Sequence, residues 1–383
     1  MERQLEIEFD NDYKIGQNRE NPEYLSKQLI TYIGNKRNLL PFIDTGVQEV
    51  VRRLGRDKMT ILDLFSGSGI VARFFKKYSK KLIVNDLELY SEIINRCYLA
   101  NRSDFDTGEL RSIYEGVTSR LNSNPLKEGF IYEMYAPMDD TCITSGERVF
   151  YTTRNAKYID TARSYIEEVE PSFRNFLLAP LLSEASIHAN TAGVFKGFYK
   201  NTRTGNGIFG GSNGDALERI KGNIHLPFPL FSNFECDINV FREDAGKIAG
   251  RVNDIDLAYL DPPYNQHPYG SNYFMLNLIA EYKKPMKVSR VSGIPVDWNR
   301  SPFNRKREVS SAFSRIIEEV NAKFILVSFN SEGFISRKEM TDILKQNGKV
   351  RVYEQKYNTF RGSRNLGSRN IHVKEYLYLL EKK

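Results

Sequence analysis

Apolar positions recur along this chain in helical and in strand-like runs, and the order of those runs predicts its elements. Ile43, Val47, Val50, Val51 and Leu54 repeat at helical spacing, and Pro41 falls in the first turn, where its missing N–H costs nothing. An amphipathic helix is therefore expected ahead of the first strand. That strand is the short apolar run Met59 to Leu64, which leads straight into Phe65-Ser66-Gly67-Ser68-Gly69, a helical stretch from Ile70 to Tyr78 and a second strand from Lys81 to Asn85. Strand, glycine turn, helix and strand in this order open a doubly wound α/β sheet.

From about Asp106 to Glu235 the pattern loosens into polar loops, one helical stretch from Pro171 to His188 and a Gly/Asn-rich segment from Asn201 to Gly214. This reads as an insertion. Strand signals return at Leu257–Leu260 and Phe324–Phe329, with Val309, Phe313, Ile316, Ile317 and Val320 forming an amphipathic helix between them. Val350 to Tyr357 and Val373 to Leu380, joined by a loop of Arg, Gly and Asn, predict an antiparallel hairpin on one edge of the sheet.

Composition narrows the class. The 383 residues exceed one small module, and 55 Lys and Arg against 48 Asp and Glu give a formal charge of +7, which favours a polyanionic partner. No apolar run approaches the ~20 residues of a bilayer span. Met1 to Glu20 carries six acids against three bases and no apolar core, which is a polar leader and not a signal peptide. Cys97, Cys142 and Cys236 are scattered, as are the four histidines, so neither a disulfide framework nor a metal site is expected, and a reducing cytoplasm is the expected location.

Two segments carry candidate chemistry. In Asp63 to Gly69 a strand gives way to a helix, so glycines let a ligand approach the backbone and free amides face it. Asn85-Asp86 closes the next strand, where a carboxylate can accept ribose hydroxyls. Gly67-x-Gly69-x-x-Ala72 with a following acid also matches a dinucleotide fingerprint, so a nicotinamide-dependent dehydrogenase stays open on this segment alone.

The second segment, Asp261-Pro262-Pro263-Tyr264, follows the strand at Leu257–Leu260. Its two prolines stiffen the loop and remove two amide donors, leaving a carboxylate, carbonyl acceptors and an aromatic face. That set suits an amino group on a planar base. Asp261 and the Pro262 carbonyl accept its two hydrogens and Tyr264 stacks on the ring, so the nitrogen becomes pyramidal and its lone pair is freed to attack an electrophilic methyl group. A dehydrogenase leaves this loop unexplained, and a non-catalytic DNA-binding module explains neither segment. Methylation at a ring carbon needs a thiolate, usually after proline, and none of the cysteines follows one.

Tyr32-Ile33-Gly34-Asn35-Lys36, Asp63 to Gly69, Asn85-Asp86 and Asp261 to Tyr264, in that order, resemble the S-adenosylmethionine-dependent DNA adenine-N6 methyltransferases, in the group with target recognition between the cofactor and catalytic motifs. The resemblance implies a class I, Rossmann-like, mostly parallel sheet with an antiparallel C-terminal hairpin. It implies a catalytic domain of 26–105 and 236–383 behind a leader of 1–25, with 106–235 as the inserted recognition region. Tyr32, Lys36, Asp63, Phe65, Gly67, Asp86, Asp244 and Asp261 are its expected S-adenosylmethionine contacts, and Asp261, Pro262, Pro263 and Tyr264 its catalytic loop. The partner it implies is double-stranded DNA, with a cognate restriction endonuclease as a further expectation. Cytosine, RNA and a protein amide remain alternative acceptors on the motif alone.

Arg351 to Lys383 holds eight bases and three acids, so Arg361, Arg364 and Arg369 in the hairpin loop are candidate phosphate contacts. Lys196 and Lys200 in Phe195-Lys196-Gly197-Phe198-Tyr199-Lys200 are further candidates, where the aromatics either stack on bases or pack the insertion. Gly205 to Gly214 is too glycine-rich for a core and is expected to enter a groove or order on DNA.

Overall fold

Every apolar run expected as a strand is one in the computed structural model, which describes residues 19–211, 213–358 and 372–383. The strands are β1 Met59–Asp63, β2 Ser79–Asp86, β3 Asp237–Arg242, β4 Ile255–Leu260, β5 Ala322–Asn330, β6 Gly348–Asn358 and β7 His372–Lys382. They form one seven-stranded sheet in the order β3-β2-β1-β4-β5-β7-β6. β1 to β5 pair in parallel, while β7 runs antiparallel between β5 and β6. The C-terminal hairpin thus closes one edge, as expected.

β1 and β4 are buried along their whole length, so both faces must be apolar and the sequence shows continuous runs. Alternate residues go to opposite faces: Ile61, Leu257 and Leu326 join the helix Leu40–Leu54 in one core, and Leu62, Ala258 and Val327 join the helix Val309–Glu319 in another. The chain leaves β1 toward β2 and β3, then crosses back to β4. The carboxyl ends of β1 and β4 therefore flank a topological switch point, where open α/β sheets leave a crevice.

Between β2 and β3 the chain is mainly helical. Besides Pro171–Ile187 it forms Thr107–Ser123, Phe130–Tyr135 and Thr153–Glu168, the first capped by Asp106 and the last by Thr152. Their aromatic core, with Phe150, Phe195 and Phe274 in edge or tilted contact, continues into the helices Leu89–Tyr98 and Phe274–Glu281. The insertion is in this way built onto the sheet layer beside the crevice. The end of the leader is also built in, since Tyr24 is buried and Glu20 accepts from the Asn233 amide at 2.8 Å. No helix among the described residues is long and apolar enough to cross a membrane.

Candidate active site

Four strand ends, those of β1, β2, β3 and β4, converge on the crevice. Asp63 closes β1, and its carboxylate is 0 % exposed with neither oxygen hydrogen-bonded. Burial, reinforced by Asp261 and Asp86, holds its pKa well above the ordinary carboxylate range. The turn that follows is fixed from both sides. Gly67 has φ +52°, and a Cβ there would lie 2.8 Å from the Tyr32 ring, so only glycine lets that ring close over the turn. Behind it, Asn95 donates to Ser66 Oγ at 2.8 Å.

Asp86, at the end of β2, accepts from the Gly67 amide at 2.8 Å and the Glu88 amide at 3.0 Å. Its carboxylate joins the glycine turn to the second strand while facing the crevice. Asn85 ties in the third strand, donating to Leu64 O at 3.2 Å and Glu243 O at 3.1 Å. This positions Asp244, which lines the crevice and caps a short helix through the Gly246 amide at 2.9 Å. Phe65 lines it too, packed edge-on against Phe303 at 5.1 Å.

Asp261 follows β4 and meets Lys36, whose Nζ lies 3.0 Å from Asp261 Oδ1 and 3.6 Å from Glu375 Oε1, and donates to Gly34 O at 3.2 Å. Burial disfavours the Lys36 ammonium, but the two carboxylates outweigh it and raise its pKa. Asp261 is pushed up to about 6, mainly by burial, with Lys36 opposing and Glu375 adding to the rise. Glu375 is itself buried and accepts from Ser328 Oγ at 3.0 Å. The Tyr264 carbonyl accepts from the Phe334 amide at 2.9 Å, and its ring stands edge-on to Phe329, which fixes the loop's far end.

The segment Tyr32–Lys36 is a partition. On one side lies a crevice of ≈ 910 Å³, counting its open mouth, lined by the acids Asp63, Asp86, Glu88, Glu243, Asp244 and Asp261 and, as the one cation among the described residues, by Lys36. On the other lies a second cavity, ≈ 1380 Å³ on the same measure, bounded by Tyr264, Asn330, Glu375 and by Ala192 and Gly193 of the insertion. Asp261 and Pro263 line the first, Tyr264 the second and Lys36 both. Pro262 is buried between them in the chain.

The expected DNA contacts are not gathered in this way. Lys196 and Lys200 lie outside both cavities, with Lys196 Nζ 3.5 Å from His267 Nδ1 and Lys200 over the Phe198 ring. Phe195 and Phe198 are buried in the insertion core, which decides for packing over base stacking. Phe209, in the glycine-rich segment, is buried there as well. Arg361, Arg364 and Arg369 lie outside the described residues. Site residues that the motifs did not indicate are Glu88, raised to about 7 by burial, Glu375, and the Asn299–Asn304 wall. A charge inside the apolar run Val373 to Leu380 was the one readable sign of Glu375.

If Asp261 acts as an acceptor, it must be ionised, and the rate is expected to fall about tenfold per pH unit below its pKa of about 6. Glu375→Gln removes a charge that raises that pKa, so the acid limb should move to lower pH. Single-turnover rates from pH 5 to 8 test this, and an unmoved limb counts against the coupling.

A mostly parallel sheet with an antiparallel terminal pair, and a crevice at the switch point bounded by Asp261 and Pro263, are those of a class I methyltransferase fold. Residues 32–343 match the D12 class N6 adenine-specific DNA methyltransferases, and the chain belongs to that family. It is 33 % identical over 363 residues to the type II methyltransferase M.NlaIII of Neisseria lactamica, covering 92 % of this chain and 99 % of that one. It is 30 % identical to M.CviAII of Paramecium bursaria Chlorella virus 1 over 92 % of this chain and 98 % of that one. For M.FokI of Planomicrobium okeanokoites the identity is 29 %, over 92 % of this chain but 52 % of that protein. The family decides for adenine over cytosine and for methyl transfer over nicotinamide chemistry, both of which the motifs left open.

Proposed function

We propose that this chain uses S-adenosylmethionine to methylate the N6 amino group of adenine turned out of double-stranded DNA, as the modification enzyme of a restriction-modification system. The observation that carries the reading is the division of the site by Tyr32–Lys36, with the catalytic loop reaching both cavities. The acidic crevice suits a ligand with an ammonium and a sulfonium, and the unpartnered carboxylate of Asp63 suits the ammonium. A dinucleotide would bring an anionic pyrophosphate to a crevice lined by acidic side chains, whose one cation among the described residues, Lys36, is already paired.

When bound, S-adenosylmethionine supplies an electrophilic methyl group. The chain's part is to prepare the nitrogen: Asp261 Oδ1 is taken by Lys36, leaving Oδ2 and the Pro262 carbonyl to accept the two amino hydrogens. The surplus proton that N6 would carry after accepting the methyl group would pass to Asp261 or to water. Asp86 is suited to the ribose hydroxyls, Asp244 and Phe65 to the adenine end, and residues 106–235 to reading the flanking bases.

Expression in a methylation-free host followed by modification-sensitive sequencing of its DNA should show N6-methyladenine at one short sequence. Calorimetry should show binding of S-adenosylmethionine and none of NAD. Unmodified DNA from a folded enzyme would overturn the reading.

An adenine inside the duplex cannot reach the loop at the sheet rim, so the base must rotate out, and Tyr264 is the face that receives it. Base-aromatic stacking is worth ~1–3 kcal/mol, so Tyr264→Ala should weaken capture by roughly ten- to hundredfold, while Tyr264→Phe should be mild. The fluorescence of 2-aminopurine at the target position reports the difference. Equal impairment of both variants would point to the hydroxyl instead.

A further inference from the structure

Residues 283–307, between the helices Phe274–Glu281 and Val309–Glu319, hold eight Lys and Arg against the single carboxylate of Asp297. That excess equals the formal charge of the whole protein, +7, so the rest of the chain is neutral on balance. The concentration is not offset locally. Lys284 pairs with Glu133 and Arg305 with Glu308, but Lys283, Lys287, Arg290, Lys306 and Arg307 are exposed and have no ion pair among the described residues. Apolar side chains stand exposed among them, Met286 at 98 %, Val291 at 56 % and Val296 at 54 %.

The segment is held in place and is not a loose charged loop. Val288 and Pro295 pair as a short hairpin, Tyr135 donates to Gly293 O at 2.7 Å, and Arg148 donates to Arg290 O at 3.3 Å. It also reaches the segment just past Tyr264, once directly and once through Lys196. Asn304 donates to Asn265 O at 2.8 Å, one residue past Tyr264. Ser292 donates to Lys196 O at 2.6 Å, and Lys196 Nζ lies 3.5 Å from His267 Nδ1.

We propose that residues 283–307 form a clamp for the duplex beside the extruded base, with Lys287 and Arg290 neutralising phosphates and Lys196 extending the same surface. The proposal rests on the duplex-DNA substrate proposed above and adds which surface holds it. A fixed array of unpaired cations, rooted on the loop that receives the base, meets the backbone of the same duplex whose nucleotide that loop takes. Exposed apolar side chains among the cations fit a face that lies against a partner. Phosphate contacts of this kind position the duplex and carry no sequence information.

The test compares Lys287→Ala/Arg290→Ala with Lys345→Ala/Lys349→Ala. The control removes equal charge near the start of β6, at the opposite rim of the sheet, where Gly348 pairs with Lys382. DNA affinity is measured by anisotropy over a salt series, with S-adenosylmethionine affinity measured alongside. Each lost phosphate contact lowers the slope of log affinity against log salt by about 0.9, so the first pair should lower it by nearly two and the control should not. Cofactor affinity and the methylated sequence should not change. A wild-type slope in an active Lys287→Ala/Arg290→Ala enzyme would overturn the clamp, as would an equal fall in the control. Failure of the wild type to modify DNA would strike at the proposed function and not at this surface alone.

Discussion

Asp261→Ala is expected to lower single-turnover methyl transfer by about 10²- to 10³-fold while cofactor and DNA binding largely survive. Losing one preorganised group that acts in the transition state commonly costs that much. Lys36 keeps Glu375 at 3.6 Å after the change, so the buried ammonium is not stranded and the fold should hold. Asp261→Asn is the sharper variant, because it keeps the shape and one acceptor but removes the charge and turns an amide donor toward either Lys36 or the substrate. It should be impaired nearly as much. Retention of more than about a tenth of wild-type turnover by either variant, a loss below ~1.4 kcal/mol, would remove Asp261 from the reaction.

The parts of this site that were legible in the sequence are those where backbone demands a residue type. Gly67 must be glycine because the Tyr32 ring occupies the space of a side chain, and β1 and β4 must be apolar because both their faces are covered. β3 was not legible for the opposite reason: it is an edge strand, its pattern Asp237-Ile238-Asn239-Val240-Phe241-Arg242 is half polar, and none of it is fully buried. The helices Thr107–Ser123 and Thr153–Glu168 escaped because few of the former's residues are buried and the latter buries polar ones, Asn155, Asp160 and Arg163, which blurs the helical period. Interleaved Lys and Phe in 195–200 gave no means of choosing between core and interface, and only burial decides it. Glu375 lies more than a hundred residues from Asp261. Its approach to Lys36 depends on β7 pairing with β5, where Glu375 stands opposite Asn330, and no local pattern encodes that.

Lys36→Met is expected to be the most damaging single change, because it acts on stability and chemistry together. Lys36 is 4 % exposed, and its ammonium compensates two carboxylates, Asp261 and Glu375. Breaking a buried pair by deleting one partner costs about 3–5 kcal/mol, since the remaining charge is left uncompensated. The pH dependence has a definite sign. Lys36 lowers the pKa of Asp261, so its loss must raise that pKa above about 6. A carboxyl raised in the folded state binds more protons there than in the unfolded chain, so the variant should gain stability as pH falls through the folded pKa and lose it above. Activity should move the other way, with the acid limb shifting to higher pH and the neutral-pH rate falling most. Adding Glu375→Gln removes one of the two uncompensated charges and should recover part of the lost stability, a non-additivity that a double-mutant cycle measures directly. Thermal unfolding and single-turnover rates of the four proteins at pH 6 and pH 8.5 decide the matter. A Lys36→Met protein with wild-type unfolding at both pH values, or strict additivity with Glu375→Gln, would mean that the ion pairs do not hold the Asp261 carboxylate in place.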